Sequence, residues 1–409
     1  MTIDWNPEDP GVIADPYPTF QRMRTEDPCH WSPRLKGWVL TRYDDVRRAC
    51  LDKEHFSSDR LRPFFDAMPG AQAARIEDIV RYLSLWMVFK DPPDHTRLRK
   101  LAGRVFHVKS MHGMRPQIED ITRGLLHHLQ ARDAFDFIAD FAGPLPCLVI
   151  MAMLGVPRED LALVKRLSDD IALFIGSSRT TSEKYDTAQA ATHEMAAYFR
   201  AMIVDRRARP QADLLSELTH LRDGDDRLSD DELIALCILL LFAGHETTTN
   251  HLANGMAALM RFPDQMARWR ADTAITSSAI EELLRYDGPS GAIVRIVRGE
   301  TSLHGKTLRD GDRVFLMMHA ANRDSNAFPN PDQLDLTRDG RPHLAFGFGA
   351  HICLGFPLAR TEGQVALPAV LNAFAQIEPA SDAAPAWINS LVFRGMHTLP
   401  VRVRPACAP

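Results

Sequence analysis

The sequence predicts a mainly α fold, a single large domain with a small β region. Three observations lead there. Apolar residues recur at helical spacing through most of the chain, β-like stretches are few and short, and no repeat, low-complexity tract or Gly/Ser linker marks an internal boundary. Length alone leaves room for one large domain or two ordinary ones, because the chain has 409 residues. Its composition, 45% apolar and 25% charged, is that of a globular protein that can fold without disulfides.

The elements follow in order. The proline-bearing N-terminal segment, about the first 14 residues, reads as extended chain. Gly37 to Thr41 is a short strand. Gln117 to Leu129 and Asp160 to Ile175 carry apolar residues at helical spacing, and His193 to Arg207 ends in a basic turn that suits a helix C-terminus. The clearest helix starts at Ser229, where Ser229 and Glu232 make a capping box. It runs to Arg261, where Phe262-Pro263 stops it, about 32 residues or about 48 Å. From Leu233 to Ala243 it is apolar nearly all round, which predicts burial on most sides. Gly244-His245-Glu246-Thr247-Thr248-Thr249-Asn250 interrupts it with poor helix formers, so something other than helix stability selects them. Ala292 to Val297 and Arg313 to Met318 are the remaining strands.

Several function classes drop out. Lys and Arg number 48 and Asp and Glu 53, a net charge of −5 that disfavours nucleic-acid and anionic-membrane binding. The start, MTIDWNPEDP, has neither a basic nor an apolar signal region, and the longest apolar run is short of the roughly 20 residues a bilayer needs. The six cysteines form no C-x-x-C pair, so a cytoplasmic protein with reduced thiols is expected. There is no G-x-G-x-x-G or Walker A loop. His245 and His251 lie about 240° apart round the helix and cannot grip one zinc ion.

The richest segment runs Phe346-Gly347-Phe348-Gly349-Ala350-His351-Ile352-Cys353-Leu354-Gly355. Glycines allow tight turns and close backbone approach to a flat ligand. Phe356-Pro357 then opens a helix, so Cys353 lies near a helix N-terminus, where amides and dipole favour a thiolate. A lone cysteine so placed suits an axial thiolate on haem iron. The segment resembles the haem-binding loop of cytochrome P-450 enzymes, F-x-x-G-x-[RH]-x-C-x-G, and Phe346, Gly349, His351, Cys353 and Gly355 fill every specified position. Other marks stand in register. Glu282 to Arg285 matches E-x-x-R, Ala243 to Thr247 matches A-G-x-[DE]-T, and His95 to Arg99 matches H-T-R-x-R. Asn322-Arg323-Asp324 also resembles bacterial members, and the likeness covers about Asp15 to Val403.

The resemblance implies a haem-thiolate monooxygenase that uses haem b and O2 on a hydrophobic small molecule. Cys353 is then the axial ligand. His95, Arg99, Arg295 and His351 hold the haem carboxylates, as paired cations suit carboxylates. Phe346 leads into the loop, and Glu282 and Arg285 form a structural ion pair behind it. Glu246 and Thr247 serve oxygen activation, the acid relaying protons and the hydroxyl hydrogen-bonding at the reaction site, with Thr248 or His245 able to share the work. Gly244 gives room and lets the helix deform. The implied pocket is apolar: Leu83, Leu85, Val88, Leu173, Phe174, Leu240, Ala243, Ile293, Val294, Val392 and Phe393, with Arg179 as a candidate contact for an acidic substrate. All of these motifs must converge on one haem, which favours one domain of 409 residues. With no flavin or iron–sulfur segment, electrons are expected from a separate ferredoxin and ferredoxin reductase, docking on Arg97, Lys100, Arg104 and Lys109. The rivals are a peroxide-driven peroxygenase or haem-thiolate isomerase, against which the Glu246-Thr247 pair speaks, and a non-catalytic haem-binding protein.

Overall fold

The computed structural model describes residues 3–107, 111, 113–175 and 183–406. Lys109, Arg179 and Cys407 lie outside them. Helix makes up 57% of the chain, which is the mainly α class expected. Backbone packing separates two compact units, each built from discontinuous segments: Met1–Ser57, Arg115–Leu145 and Thr247–Pro409 in the first, Ser58–Met114 and Pro146–Glu246 in the second. The division falls within the continuous helix Asp230–Arg261, between Glu246 and Thr247.

The first unit contains every named strand: β1 Cys29–Ser32, β2 Gly37–Leu40, β3 Phe56–Ser57, β4 Ala134–Asp136, β5 Ala292–Val297, β6 Thr301–Leu303, β7 Lys306–Leu308, β8 Arg313–Met317, β9 Phe374–Pro379 and β10 Pro400–Pro405. Strands β2, β5 and β8 are the three that the sequence marks. They lie in a five-stranded sheet of order β1-β2-β8-β5-β3, with β2 parallel to β8 and β5 antiparallel to it. Alternation along β5 sends neighbours to opposite faces. Ile293 packs against the cluster of Leu40, Tyr43, Val297 and Leu316, whereas Val294 packs against Val39, Ala292 and Phe315. The two were expected to line one pocket, and the pleat separates them.

The N-terminal segment departs from the extended reading. Pro10–Ala14 is a short helix, because the Asp9 carboxylate accepts from the amides of Gly11 and Val12 and Pro10 pre-sets the first helical position. Of the expected helices, Arg115–Leu129 and Leu161–Ile175 form within two residues of their predicted starts. The helix expected over 193–207 is longer, Glu183–Ala208, and packs along Leu161–Ile175 in the second unit.

The central helix obeys its capping box. The Ser229 amide donates to Glu232 Oε2 at 2.8 Å, and the Glu232 amide donates to Ser229 Oγ at 3.2 Å. It runs without a break from Asp230 to Arg261, straight through Gly244 and the three threonines. Gly244 leaves little room for a side chain: a Cβ on it would lie 3.2 Å from Ile150 Cγ1 on helix Pro144–Leu154. Among the described residues this is the one helix long and apolar enough to cross a membrane, and 67% of its apolar window is buried, as befits a core helix.

Candidate active site

The cysteine loop is closed by its own backbone. The Cys353 amide donates to the Phe346 carbonyl at 2.8 Å, Gly347 N–H to Leu344 O at 2.8 Å, and Ile352 N–H to Gly349 O at 3.1 Å. Gly347 and Gly349 take φ of 73° and 75°, which glycine adopts without the penalty other residues meet. The two differ in surroundings. A Cβ on Gly349 would sit 3.1 Å from the Cys50 carbonyl oxygen, while one on Gly347 would approach nothing closer than 3.7 Å. After the loop, helix Phe356–Ala373 begins with proline in its first turn. Of the five described cysteines only Cys353 is exposed, and burial pushes the Cys29 and Cys147 thiols up to about 12, so they stay neutral.

Aromatic and charged groups brace the loop. The Arg360 guanidinium stacks over both Phe346 and Phe356 at 4.9 Å and pairs bidentately with Glu281 at 2.6 and 2.7 Å. Glu281 is thereby held down at about 2: burial alone would raise it, but His343 and Arg360 outweigh that. Behind the loop, Arg285 donates to both oxygens of Glu282 at 2.7 and 2.8 Å, and both side chains are buried. Arg285 also donates to the Asn322 carbonyl at 2.9 Å, and Asn322 Oδ1 accepts from the Leu344 amide at 2.7 Å, two residues before Phe346. Arg338, which carries no sequence signal, completes the cluster on Glu282.

Arg295 is 6% exposed and donates to the Val294 carbonyl at 3.0 Å. Cys50, at the end of helix Tyr43–Leu51, feels the Arg295 charge and bonds the Phe348 backbone, so strand β5 and the cysteine loop meet at that residue. Sequence reasoning missed Cys50. His351 closes the single 3-10 turn Gly349–His351 within the loop.

In the second unit, His95 is 3% exposed on helix Asp94–Val105 and Arg99 follows one turn later on the same face. Along the central helix, Ala243 is exposed and Gly244, Glu246 and Thr247 are half-buried, whereas Leu240, His245, Thr248 and Thr249 are buried. Thr247 is thus the one threonine of the three with an accessible side chain.

The residues expected to line a pocket separate by environment. Leu83 is fully buried in the turn Ile79–Leu83. Leu85 borders a void of about 10 Å³ with Leu98 and Leu236, room for one water at most. Val88 is 43% exposed. Phe174 belongs to an aromatic cluster with Phe64, Phe65 and Tyr185. In the first unit the Val392 carbonyl accepts from Gly291 N–H at 2.8 Å and Phe393 bridges Ser290, which stitches the C-terminal loop to the start of β5. Phe393 also borders a void of about 40 Å³ with Trp5, Phe20 and His319.

The cationic patch is largely neutralised. Arg97 pairs with Glu232 at 2.6 Å and with Asp226 at 3.1 Å, and Lys100 and Arg104 both pair with Asp223. An acidic segment far along the chain folds back on these cations and pairs with each of the three.

The donor set fits a haem. One accessible thiol is presented by a backbone-closed loop before a helix, with an aromatic lead-in and a buried guanidinium beside it. The buried Arg295 guanidinium in the same unit is of the kind that suits a carboxylate.

Comparison with known proteins agrees. The family model described as Cytochrome P450 matches residues 31–395. The chain is 37% identical over 401 residues to the cytochrome P450 monooxygenase PikC of Streptomyces venezuelae, covering 96% of this chain and 92% of that protein. It is 38% identical over 399 residues to a vitamin D(3) 25-hydroxylase of Pseudonocardia autotrophica, covering 96% and 95%. Among solved structures, CalO2 superposes with a TM-score of 0.90 at 30% identity, covering 98% of this chain and 99% of that one. P450BioI, crystallised with a hexadec-9Z-enoic acid-ligated acyl carrier protein, gives 0.89 at 31%, covering 96% and 99%.

Proposed function

This chain belongs to the cytochrome P450 family and is a haem-thiolate monooxygenase, and we propose that it oxidises a small hydrophobic organic molecule, by hydroxylation or a related reaction, with O2 and NAD(P)H electrons relayed by a separate ferredoxin and ferredoxin reductase. The cofactor in this reading is haem b, the whole chain acts as one haem domain, and the protein works in the cytoplasm.

When bound, the haem supplies the redox chemistry that puts one oxygen atom of O2 into the substrate and releases the other as water. The chain supplies the rest. Cys353 would supply the thiolate ligand to the haem iron, from a loop whose backbone bonds hold the residue in place. Phe346 and the glycines would lie against the bound haem. His95, Arg99, Arg295 and His351 are the cations that would hold the haem carboxylates. The Glu282–Arg285 pair positions the loop through Asn322 and Leu344. Glu246 would relay protons to the reaction site, and the Thr247 hydroxyl, which can both donate and accept, would hydrogen-bond there. Leu83, Leu85, Val88, Phe174, Leu240, Ala243, Ile293, Val294, Val392 and Phe393 are the apolar residues from which the substrate pocket is drawn, with Ile293 and Val294 facing opposite ways. The vitamin D(3) hydroxylase and the fatty-acyl complex among the relatives favour an apolar substrate.

The observation that carries this reading is the exposed Cys353 thiol in the closed loop Phe346–Gly355. The test is the absorption of the reduced, carbon monoxide-treated holoprotein. A red-shifted Soret band that Cys353→Ala abolishes supports the reading, and an unchanged band in the variant refutes it. A screen for compounds that shift the spin state then identifies the substrate class.

A further inference from the structure

Three titratable side chains of the second unit converge outside the haem-binding residues. Asp169 and Ser168 come from helix Leu161–Ile175, and His245 and Glu246 from the central helix. One ligand-type atom from each of Asp169, His245 and Glu246 lies within 4.8 Å of the others. The His245 ring is buried, 3% exposed, and Ser168 Oγ lies 3.3 Å from its Nδ1. That contact orients the ring so that Nε2 faces both carboxylates, with Asp169 Oδ1 at 3.6 Å and Glu246 Oε2 at 3.9 Å. Accessibility falls in one direction: the Asp169 side chain is 45% exposed and Glu246 22%.

We infer that Asp169, His245 and Glu246 form a proton relay, in which His245 takes protons from surface-exposed Asp169 and passes them to Glu246. The inference rests on the monooxygenase reading, in which Glu246 needs a proton supply. It extends that reading to two groups that the family motif does not specify.

The chemistry balances at every step. An imidazolium His245 gives its Nε2 proton to the Glu246 carboxylate, and the neutral ring then takes the proton of the Asp169 carboxyl. Asp169 regains one from surface water, so one proton crosses per cycle and no electron moves. Both carboxylates face the same nitrogen, so delivery needs only a small tilt of the ring from one to the other. The static separations exceed hydrogen-bond length, which is common for catalytic contacts before ligands bind. Among the described residues, Asp169 and Glu246 face the ring, and Lys165 pairs with Asp169, whose field also reaches the Cys147 thiol. Lys165 holds Asp169 at 2.6 Å, and burial of Asp169 is outweighed by His245 and Lys165, which bring its carboxyl below the ordinary range. Asp169 therefore carries protons transiently and does not store them.

Two measurements test the relay. In the reduced carbonyl holoprotein with ¹⁵N-labelled histidine, the ring signals of His245 are those lost in H245Q. At a fixed pH, the His245 ring signals shift in D169N and in E246Q, and hold in the neighbouring control D170N. With surrogate ferredoxin and ferredoxin reductase, NADPH consumption in H2O and D2O shows a larger solvent isotope effect in D169N and H245Q, and a rate at least about threefold lower. An unmoved ring signal in D169N overturns the relay, as does a wild-type isotope effect in H245Q. The carbonyl band reports separately. Its absence refutes the monooxygenase reading, and the ring signals of the protein as purified, recorded without reduction or carbon monoxide, then decide whether the three groups share a proton.

Discussion

The Arg338 guanidinium places its Nε 3.1 Å from both carboxylate oxygens of Glu282, from 56 residues further along the chain. The Glu282–Arg285 pair is therefore a three-residue cluster, and Glu282 also accepts from the Asp335 amide at 3.0 Å. Glu282→Ala strands two guanidinium groups, one of them fully buried. It should cost about 3–5 kcal/mol, seen as a lower denaturant midpoint. Arg338→Ala leaves the bidentate Arg285 in place and should cost about 1–3 kcal/mol. Equal losses for the two variants would show that Arg338 is no lesser partner.

The two left-handed glycines of the cysteine loop should respond differently. Asparagine tolerates positive φ, so Gly347→Asn should retain haem at near wild-type content. Gly349→Asn pushes a Cβ toward the Cys50 carbonyl at 3.1 Å and should lose haem or the red-shifted carbonyl band. Equal haem content in both variants would remove the steric argument.

His251 and His319 make stability fall in mild acid. Each is held down at about 4 from an ordinary 6.5, His251 by burial and then repulsion from His343, His319 by burial and then Arg394. The unfolded chain takes up a proton below about 6.5, whereas the folded ring does so only below about 4. The stabilisation is thus fully present above 6.5 and is lost as the pH falls to about 4, at most about 3 kcal/mol per ring. His251 makes no hydrogen bond among the described residues. His251→Leu should flatten the dependence of the unfolding midpoint between pH 6.5 and pH 4, and an unchanged slope would contradict this.

Thr247→Ala should keep consuming NAD(P)H while forming less product, the excess oxygen leaving as peroxide or water. Thr248→Ala, at a buried position, should affect folding stability more than coupling. The ratio of product to NAD(P)H consumed measures this, and a wild-type ratio in Thr247→Ala would exclude the proposed role.

Charge reversal at Arg97 should act on stability before it acts on any partner. Arg97→Glu sets an acid against Glu232 and Asp226 and should cost at least about 1–2 kcal/mol. Lys100→Glu, at a side chain 63% exposed, should cost less. If Arg97→Glu unfolds at the wild-type midpoint and only slows reduction by ferredoxin, the patch serves docking after all.

Much of the site was legible because its signals are local. The capping box of Ser229 and Glu232 spans one helical turn, strand β5 is a six-residue stretch that is apolar except for Arg295, and the loop Phe346–Gly355 is contiguous. What was missed joins distant segments: Arg338 on Glu282, Cys50 beneath Arg295 and Phe348, and the acidic loop that neutralises Arg97 and Lys100. Asp169 carried no motif at all, and only the packing of two helices brings it to His245.

The sequence by itself determined the mainly α class, the extent of the central helix, the thiolate loop and the family, because each depends on spacing along a few turns of chain. Tertiary structure decided the rest. It set Gly244 against Ile150 within an unbroken helix, put Ile293 and Val294 on opposite sides of the sheet, and paired Arg97, Lys100 and Arg104 with acids. The physical reason is common to all three. Packing density, strand pleat and charge pairing depend on which distant side chains become neighbours, and that is fixed only when the chain closes on itself.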